Sequence, residues 1–90
     1  MPRPATKKPI DRSEVLKRRQ AARNAEKNLE RLSKERTSIA TTLADETTYR
    51  SLGDKLDTLL KRHAELEAAV ERAETRWLEA EEALEAVERR

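Results

Sequence analysis

The sequence contains no cysteine and no phenylalanine, and among its 90 residues it has one glycine, one tryptophan, one tyrosine and three prolines. Without cysteine, neither a disulfide framework nor a thiolate metal site can form. So few large apolar side chains cannot build a globular core of normal size. No apolar run approaches the roughly 20 residues of a membrane span, and the N-terminus lacks the apolar region of a secretion signal. We therefore expect a cytoplasmic protein with no membrane partner.

Residues that could carry catalysis are equally scarce. One glycine cannot supply a P-loop or a dinucleotide fingerprint, both of which need several. One histidine without cysteine leaves no catalytic dyad or triad. His63 is better interpreted as a partly buried polar layer than as a metal ligand, because no second ligand of the usual kind lies nearby. We expect this chain alone to have no enzymatic activity, no cofactor and no metal.

Charge is abundant, at 42% of residues, and it is unevenly distributed. Residues 1–36 hold twelve Lys or Arg and five Asp or Glu, a net charge of +7, whereas residues 37–90 hold eight and thirteen, a net charge of −5. A basic first half joined to an acidic second half favours pairing between the halves. Positive charge is left over for a polyanion.

A regular apolar stripe runs through the C-terminal part of the chain. Its members recur with alternating spacings of four and three residues, and all but one are apolar or aromatic: Leu52, Leu56, Leu59, His63, Leu66, Val70, Ala73, Trp77, Ala80, Leu84 and Val87. A seven-residue repeat of this kind is typical of a coiled-coil helix. Such a helix needs a partner along its narrow seam.

The first half of the chain supplies that partner. The same rhythm gives a second seam, which includes two arginines: Val15, Arg18, Ala22, Ala25, Leu29, Leu32, Arg36, Ile39 and Leu43. Asp11 or Ser13 is expected to cap the first helix, and Gly53 with Asp54 is expected to break the chain and cap the second. The sequence therefore predicts an all-α fold in which two long helices form an antiparallel coiled-coil hairpin.

The predicted organisation has two parts. Residues 1–10 carry all three prolines and three basic residues, and they are expected to form a flexible basic linker. Residues 11–90 are expected to form the hairpin. Its helix 1 spans about 12–45, its tip loop about 46–53 and its helix 2 about 54–89.

Two registers of the hairpin fit the seams, because the numbers of facing residues can add to 95 or to 102. The first places Arg18 opposite Trp77, where a cation–π contact could form, and the second places Ala25 there. We favour 95, because it needs the shorter connection and brings Arg19 near Glu74. It also brings two further opposite charges together, Glu35 and Arg62. The arginines in the first seam disfavour a dry dimer core, so we expect a monomeric hairpin.

A basic stripe on helix 1 is the main functional signal. Together with the linker lysines it gives these candidate nucleic-acid-binding residues: Lys7, Lys8, Lys17, Arg19, Arg23, Lys27, Arg31 and Lys34. Such a stripe neutralises backbone phosphates without reading bases, so binding would be salt-sensitive and largely independent of sequence. An ordinary solvated coiled-coil face is the competing interpretation.

The two aromatic residues have structural and functional interpretations. Trp77 is expected to be a packing anchor in the seam, and base stacking by Trp77 would need an exposed ring. Tyr49 lies in the predicted tip, where packing over the last seam layer is favoured. Stacking of Tyr49 on a nucleotide is the alternative, which makes it a possible tip contact.

The segment RRQAARNAEKNLERLSKE, followed by LADETTY and then by KLDTLLKRHAELEAAVERAETRWLEAEEALE, resembles the C-terminal coiled-coil domain of ABC-F type ATPases, the Uup-like proteins. The resemblance covers roughly residues 15–88. It rests most on Leu43, Ala44, Asp45 and Tyr49 in the tip, and on Trp77-Leu78-Glu79 in helix 2. One departure is Glu46, which stands where the family often has proline.

The resemblance implies a cytoplasmic ATPase whose two nucleotide-binding domains precede this segment and hold ATP and Mg²⁺. It also implies a tail that folds as an antiparallel hairpin and, in Uup-like members, is implicated in DNA binding. Other ABC-F proteins act on ribosomes, which makes ribosomal RNA the competing polyanion. The structural alternative is a coiled coil that positions the ATPase core or contacts the ribosome. The sequence does not decide between the side and the tip of the hairpin as the contact.

Overall fold

A computed structural model describes residues 11–89 of the chain, which form three helices. Helix α1 spans Arg12–Ala44, the short helix α2 spans Glu46–Ser51, and helix α3 spans Lys55–Glu88. The two long helices pack against each other along their length, and α2 follows α1 directly at the tip. The predicted all-α antiparallel hairpin is confirmed. The predicted linker at 1–10 lies outside the described residues.

The start of α1 and the turn at the tip are set by local capping. Asp11 precedes α1, and its carboxylate accepts a hydrogen bond of 2.9 Å from the amide of Ser13. Asp45 does the same for α2, where it accepts from the amide of Thr48 at 3.0 Å. These side chains satisfy amides that the first turn of a helix leaves without an intrahelical partner. The hydrogen bonds from Thr48 hold the pKa of Asp45 below its usual range.

The tip differs from the predicted loop at 46–53, because most of that stretch is the helix α2. Asp45 followed by ETTYRS has the pattern of an N-cap and one helical turn, which the sequence analysis took for a loop. Gly53 then turns the chain with a φ of 54°, a left-handed conformation that favours glycine. Asp54 occupies the cap position of α3, but its side chain makes no capping hydrogen bond.

The core lies on the two seams. Leu32 of α1 packs with three buried residues of α3, namely Leu66, Val70 and Ala73, and Leu29 and Ile39 pack against this cluster. Leu66 is completely buried. Within α3, every buried residue belongs to the predicted stripe. The apolar repeat therefore located the core-facing side of α3 correctly.

In the hairpin, the numbers of facing residues add to 102. The predicted register, in which they would add to 95, is wrong. Arg19 lies 3.2 Å from Glu88, not near Glu74. In the 95 register Arg19 would be level with residue 76, twelve residues or ~18 Å from Glu88 along α3. In the 102 register the offset is five residues, which two long side chains can span. Val87 agrees, since it is only 3% exposed and faces Val15 in this register.

In the 102 register Arg18 and Trp77 do not face each other. Arg18 is exposed and level with Leu84, so the cation–π contact with Trp77 that the 95 register would allow has no geometric basis. Trp77 instead faces Ala25, where a small residue leaves room for the indole. The expected proximity of Glu35 and Arg62 is present, because both registers allow it.

Candidate nucleic-acid interface

The side of α1 that points away from α3 carries an exposed row of cations. We call these five residues the outward basic face: Lys17, Arg23, Lys27, Arg31 and Lys34. They occupy the helical positions opposite the seam, and all five are exposed. From Lys17 to Lys34 the row is about 25 Å long at ~1.5 Å per residue. These five residues of the predicted basic stripe therefore form one solvent-facing surface of α1.

Acidic side chains neutralise little of this face. Glu30 is the one acid on the same side between residues 16 and 34, and its carboxylate lies 3.1 Å from the Nζ of Lys34. Arg31 donates a hydrogen bond of 2.8 Å to the amide oxygen of Asn28, which holds the guanidinium without cancelling its charge. Among the described residues, no carboxylate lies within ion-pair distance of the remaining three cations, Lys17, Arg23 and Lys27.

The other candidate residues do not join this row. Arg19 lies on the flank of α1, where its guanidinium donates to Glu88 of α3. Lys7 and Lys8 lie outside the described residues. Tyr49 is in α2 and 43% exposed, and it belongs to the tip. Lys34 is ten residues, or ~15 Å, from the end of α1, so Tyr49 and the row are separate surfaces.

The two edges of the hairpin, where α1 and α3 meet, differ in charge. One edge carries a glutamate in every heptad of α3, and we call Glu67, Glu74, Glu81 and Glu88 the glutamate edge. The Arg19–Glu88 pair lies on this edge, whereas Glu67 is 3.7 Å from the Nδ1 of His63. Neither Glu74 nor Glu81 has an ion-pair partner among the described residues.

The opposite side of α3 carries arginines: Arg62 and Arg76 flank the seam, and Arg72 lies farther from α1. We call these three residues the arginine edge. Arg62 donates two hydrogen bonds to Glu35 of α1, at 2.7 and 2.9 Å, and also contacts Glu65. These hydrogen bonds from Arg62 hold the pKa of Glu35 below its usual range. Arg72 and Arg76 are exposed, and neither is among the predicted nucleic-acid-binding residues. Their heptad positions lie on the side of α3 opposite the glutamates, and this pattern in the sequence could have identified them.

His63 and Trp77 both belong to the seam. His63 is partly buried between α1 and α3, close to Glu67, which fits the predicted polar layer. Trp77 is half-buried, and its indole Nε1 is buried without a hydrogen-bond acceptor. Base stacking by Trp77 would need an exposed ring, whereas Trp77 is partly buried in the seam.

Two other kinds of site are absent from residues 11–89. No helix in this range has the length and apolar character needed to cross a membrane. No three acidic or histidine side chains in the same range converge as a metal-binding group.

The family model described as the ABC transporter C-terminal domain matches residues 15–88, which is most of the chain. No curated protein and no solved structure matches the chain. The matched range covers both long helices and the tip, so it includes the whole outward basic face and both edges.

Proposed function

The chain belongs to the ABC transporter C-terminal domain family, and we propose that it is a non-catalytic domain that binds nucleic acid through α1. The resemblance to the C-terminal coiled-coil domain of ABC-F type ATPases agrees with this family. In the proposal, two nucleotide-binding domains elsewhere in the parent protein hold ATP and Mg²⁺, and the hairpin is their cytoplasmic accessory. DNA is the favoured ligand, and structured RNA is the competing one.

The observation that carries the proposal is the imbalance of charge on the outward basic face. Five exposed cations share that side of α1 with one acid over residues 16–34. A coiled coil needs no such imbalance for stability, because its solvated face can carry both signs. Cations aligned over ~25 Å suit a sugar–phosphate backbone, and attraction to phosphates releases counterions. Binding is therefore expected to be strongly salt-dependent and largely independent of sequence.

In this arrangement α3 has a supporting role. The buried contacts of Leu66 and Val70 with Leu32 keep α1 straight and place its basic side toward solvent. An isolated helix of this composition, without a packed seam, would be marginal in water. The apolar seam thus stabilises the surface, and the cations of α1 provide the affinity.

The test is titration of the hairpin against duplex, branched and single-stranded DNA and against structured RNA, over a range of salt concentrations. The variant R23E/K27E/R31E is expected to lose binding and to flatten the dependence of affinity on salt. Its matched control is K55E/K61E/R89E, which makes the same change in net charge at exposed positions of α3. The control variant is expected to bind with an affinity much closer to that of the parent.

Two results would contradict the proposal. Equal binding by the parent and by R23E/K27E/R31E would reduce the outward basic face to an ordinary solvated surface. Equal loss in the two variants would mean that only net charge matters and that α1 has no special role. A higher affinity for structured RNA than for any DNA would replace DNA with RNA as the ligand. Circular dichroism of each variant shows whether the hairpin is still folded.

A further inference from the structure

The geometry points to a nucleic-acid interface that extends from α1 onto the arginine edge through Arg72 and Arg76 and avoids the glutamate edge. This inference rests on the proposed function, and it assigns the side of the hairpin on which the sugar–phosphate backbone lies. It also brings α3 into the interface, although α3 is acidic overall.

The register places the two arginines level with the basic row. Arg72 and Arg76 are one helical turn apart, and both are exposed. In the 102 register, Arg76 is level with residue 26 of α1 and Arg72 is level with residue 30. Both levels lie between Arg23 and Lys34. Arg76 therefore widens the positively charged surface across one edge of the hairpin, and Arg72 continues it onto the outer part of the same side of α3.

The charge of these two arginines is available to a ligand. Among the described residues, neither has a carboxylate within ion-pair distance, in contrast to Arg62, which Glu35 holds through two hydrogen bonds. The α1 residues that flank this part of the edge are neutral: Ala21, Asn24 and Asn28. Glu79 is the exposed acid of α3 closest to Arg76 along this edge, and it forms no ion pair with Arg76.

The opposite edge would repel the same ligand. Along the length of the outward basic face, the glutamate edge presents Glu74, level with residue 28, and Glu81, level with residue 21, and neither has a cationic partner among the described residues. Glu26 of α1 adds a third carboxylate to this side. A phosphate backbone on the outward basic face therefore experiences attraction from one edge and repulsion from the other. Arginine is suited to the attractive side, because its planar guanidinium can bind phosphate oxygens in a bidentate manner.

The test compares two double variants of α3 that each remove two positive charges. R72Q/R76Q removes the arginines proposed for the interface. K61Q/R89Q is its matched control, at exposed positions on the side of α3 that faces away from α1. Glutamine is a good helix former, so both variants are expected to keep the hairpin folded. Binding to duplex DNA and to structured RNA is measured over a range of salt concentrations.

R72Q/R76Q is expected to weaken binding about tenfold and to lower the slope of affinity against salt by about 2, which corresponds to two lost phosphate contacts. K61Q/R89Q is expected to leave the slope unchanged. Equal effects of the two variants would overturn the inference. If R23E/K27E/R31E loses binding while R72Q/R76Q binds like its control, the interface is confined to α1, so the proposed function stands and this inference fails.

A third variant tests the repulsive side. E74Q/E81Q removes two unpaired carboxylates from the glutamate edge, and it is expected to raise the affinity by a few-fold without changing the number of phosphate contacts. A loss of affinity in this variant would place the ligand, or an ion bridging to it, on the glutamate edge and would overturn the assignment of the side.

Discussion

The Nη2 of Arg19 lies 3.2 Å from a carboxylate oxygen of Glu88, so the second turn of α1 is beside the last turn of α3. The pair is largely exposed, and exposed ion pairs contribute little to stability. Together with the Arg62–Glu35 pair it identifies the register. The 95 register would leave Arg19 ~18 Å from Glu88 along α3, and a 109 register would leave Glu35 ~18 Å from Arg62, so only 102 fits both pairs. The buried contacts of Leu32 with Leu66 and Val70 hold that register in place.

Chemical cross-linking can test the register directly. In the 102 register Ala22 faces Ala80, whereas in the 95 register it would face Ala73. We expect the variant A22C/A80C to form an intramolecular cross-link in high yield, through a disulfide or a short bis-maleimide. A22C/A73C is the matched control, with the second thiol one heptad, or ~10 Å, away. The chain has no native cysteine to interfere. A higher yield from the control would restore the 95 register.

The stability of the hairpin is expected to depend most on its buried leucines. Leu66 is 0% exposed and packs in the central cluster with Leu32, so Leu66→Ala should lower the free energy of unfolding by about 2–4 kcal/mol. Leu60→Ala is the matched control on the same helix, because Leu60 is 47% exposed. Urea unfolding followed by circular dichroism measures both variants. Similar losses would mean that the seam does not carry the stability.

The Arg62–Glu35 pair predicts a specific pH dependence. Hydrogen bonds from Arg62 lower the pKa of Glu35 in the folded chain relative to its usual value near 4.5. The pair therefore contributes stability above that pH, and the contribution is lost as the pH falls through the lowered folded-state pKa. In Arg62→Gln, the pKa of Glu35 measured by NMR titration should rise.

Asp45 serves as the internal control in the same titration. Its pKa is lowered by hydrogen bonds from Thr48 at the start of α2, which do not involve Arg62. We expect the pKa of Asp45 to be the same in the parent and in Arg62→Gln. A parallel rise of both values would point to a general loss of structure at the tip, and the Arg62 interaction would not be the cause.

Trp77 provides a test of packing against ligand stacking. Trp77→Phe keeps an aromatic ring in the seam and removes an indole N–H that has no acceptor, so it should change the free energy of unfolding by no more than about 1 kcal/mol. Trp77→Ala should cost roughly 2–3 kcal/mol, because it empties the space opposite Ala25.

The same residue reports on binding, since it is the one tryptophan in the sequence. Its fluorescence is expected to be unchanged in wavelength when duplex or single-stranded DNA is added, because the ring belongs to the seam. Strong quenching by nucleic acid, together with normal binding by R23E/K27E/R31E, would indicate base stacking by Trp77 and would contradict the interface on α1.

The sequence was sufficient for the fold class because the apolar repeat is local information. Spacings of four and three residues identify one face of a helix regardless of what covers it, and α3 buries that face as expected. The outward position of Lys27 and Lys34 follows from the same periodicity. The turn at Gly53 was also predictable, since a left-handed φ favours glycine. The helix at the tip was missed because one turn is too short to show a period.

The amino-acid sequence by itself thus determined that the chain forms two amphipathic helices and that α1 carries surplus positive charge. The tertiary structure decided how the two helices are aligned. Neighbouring registers of a heptad repeat bury nearly the same set of seam residues, so the sequence alone separates them by small differences in packing and loop length. Only the contacts made across the seam, such as Arg19 with Glu88, select one of them. The 102 register sets Arg72 and Arg76 level with the stretch between Arg23 and Lys34. The glutamate edge lies on the opposite side of the hairpin.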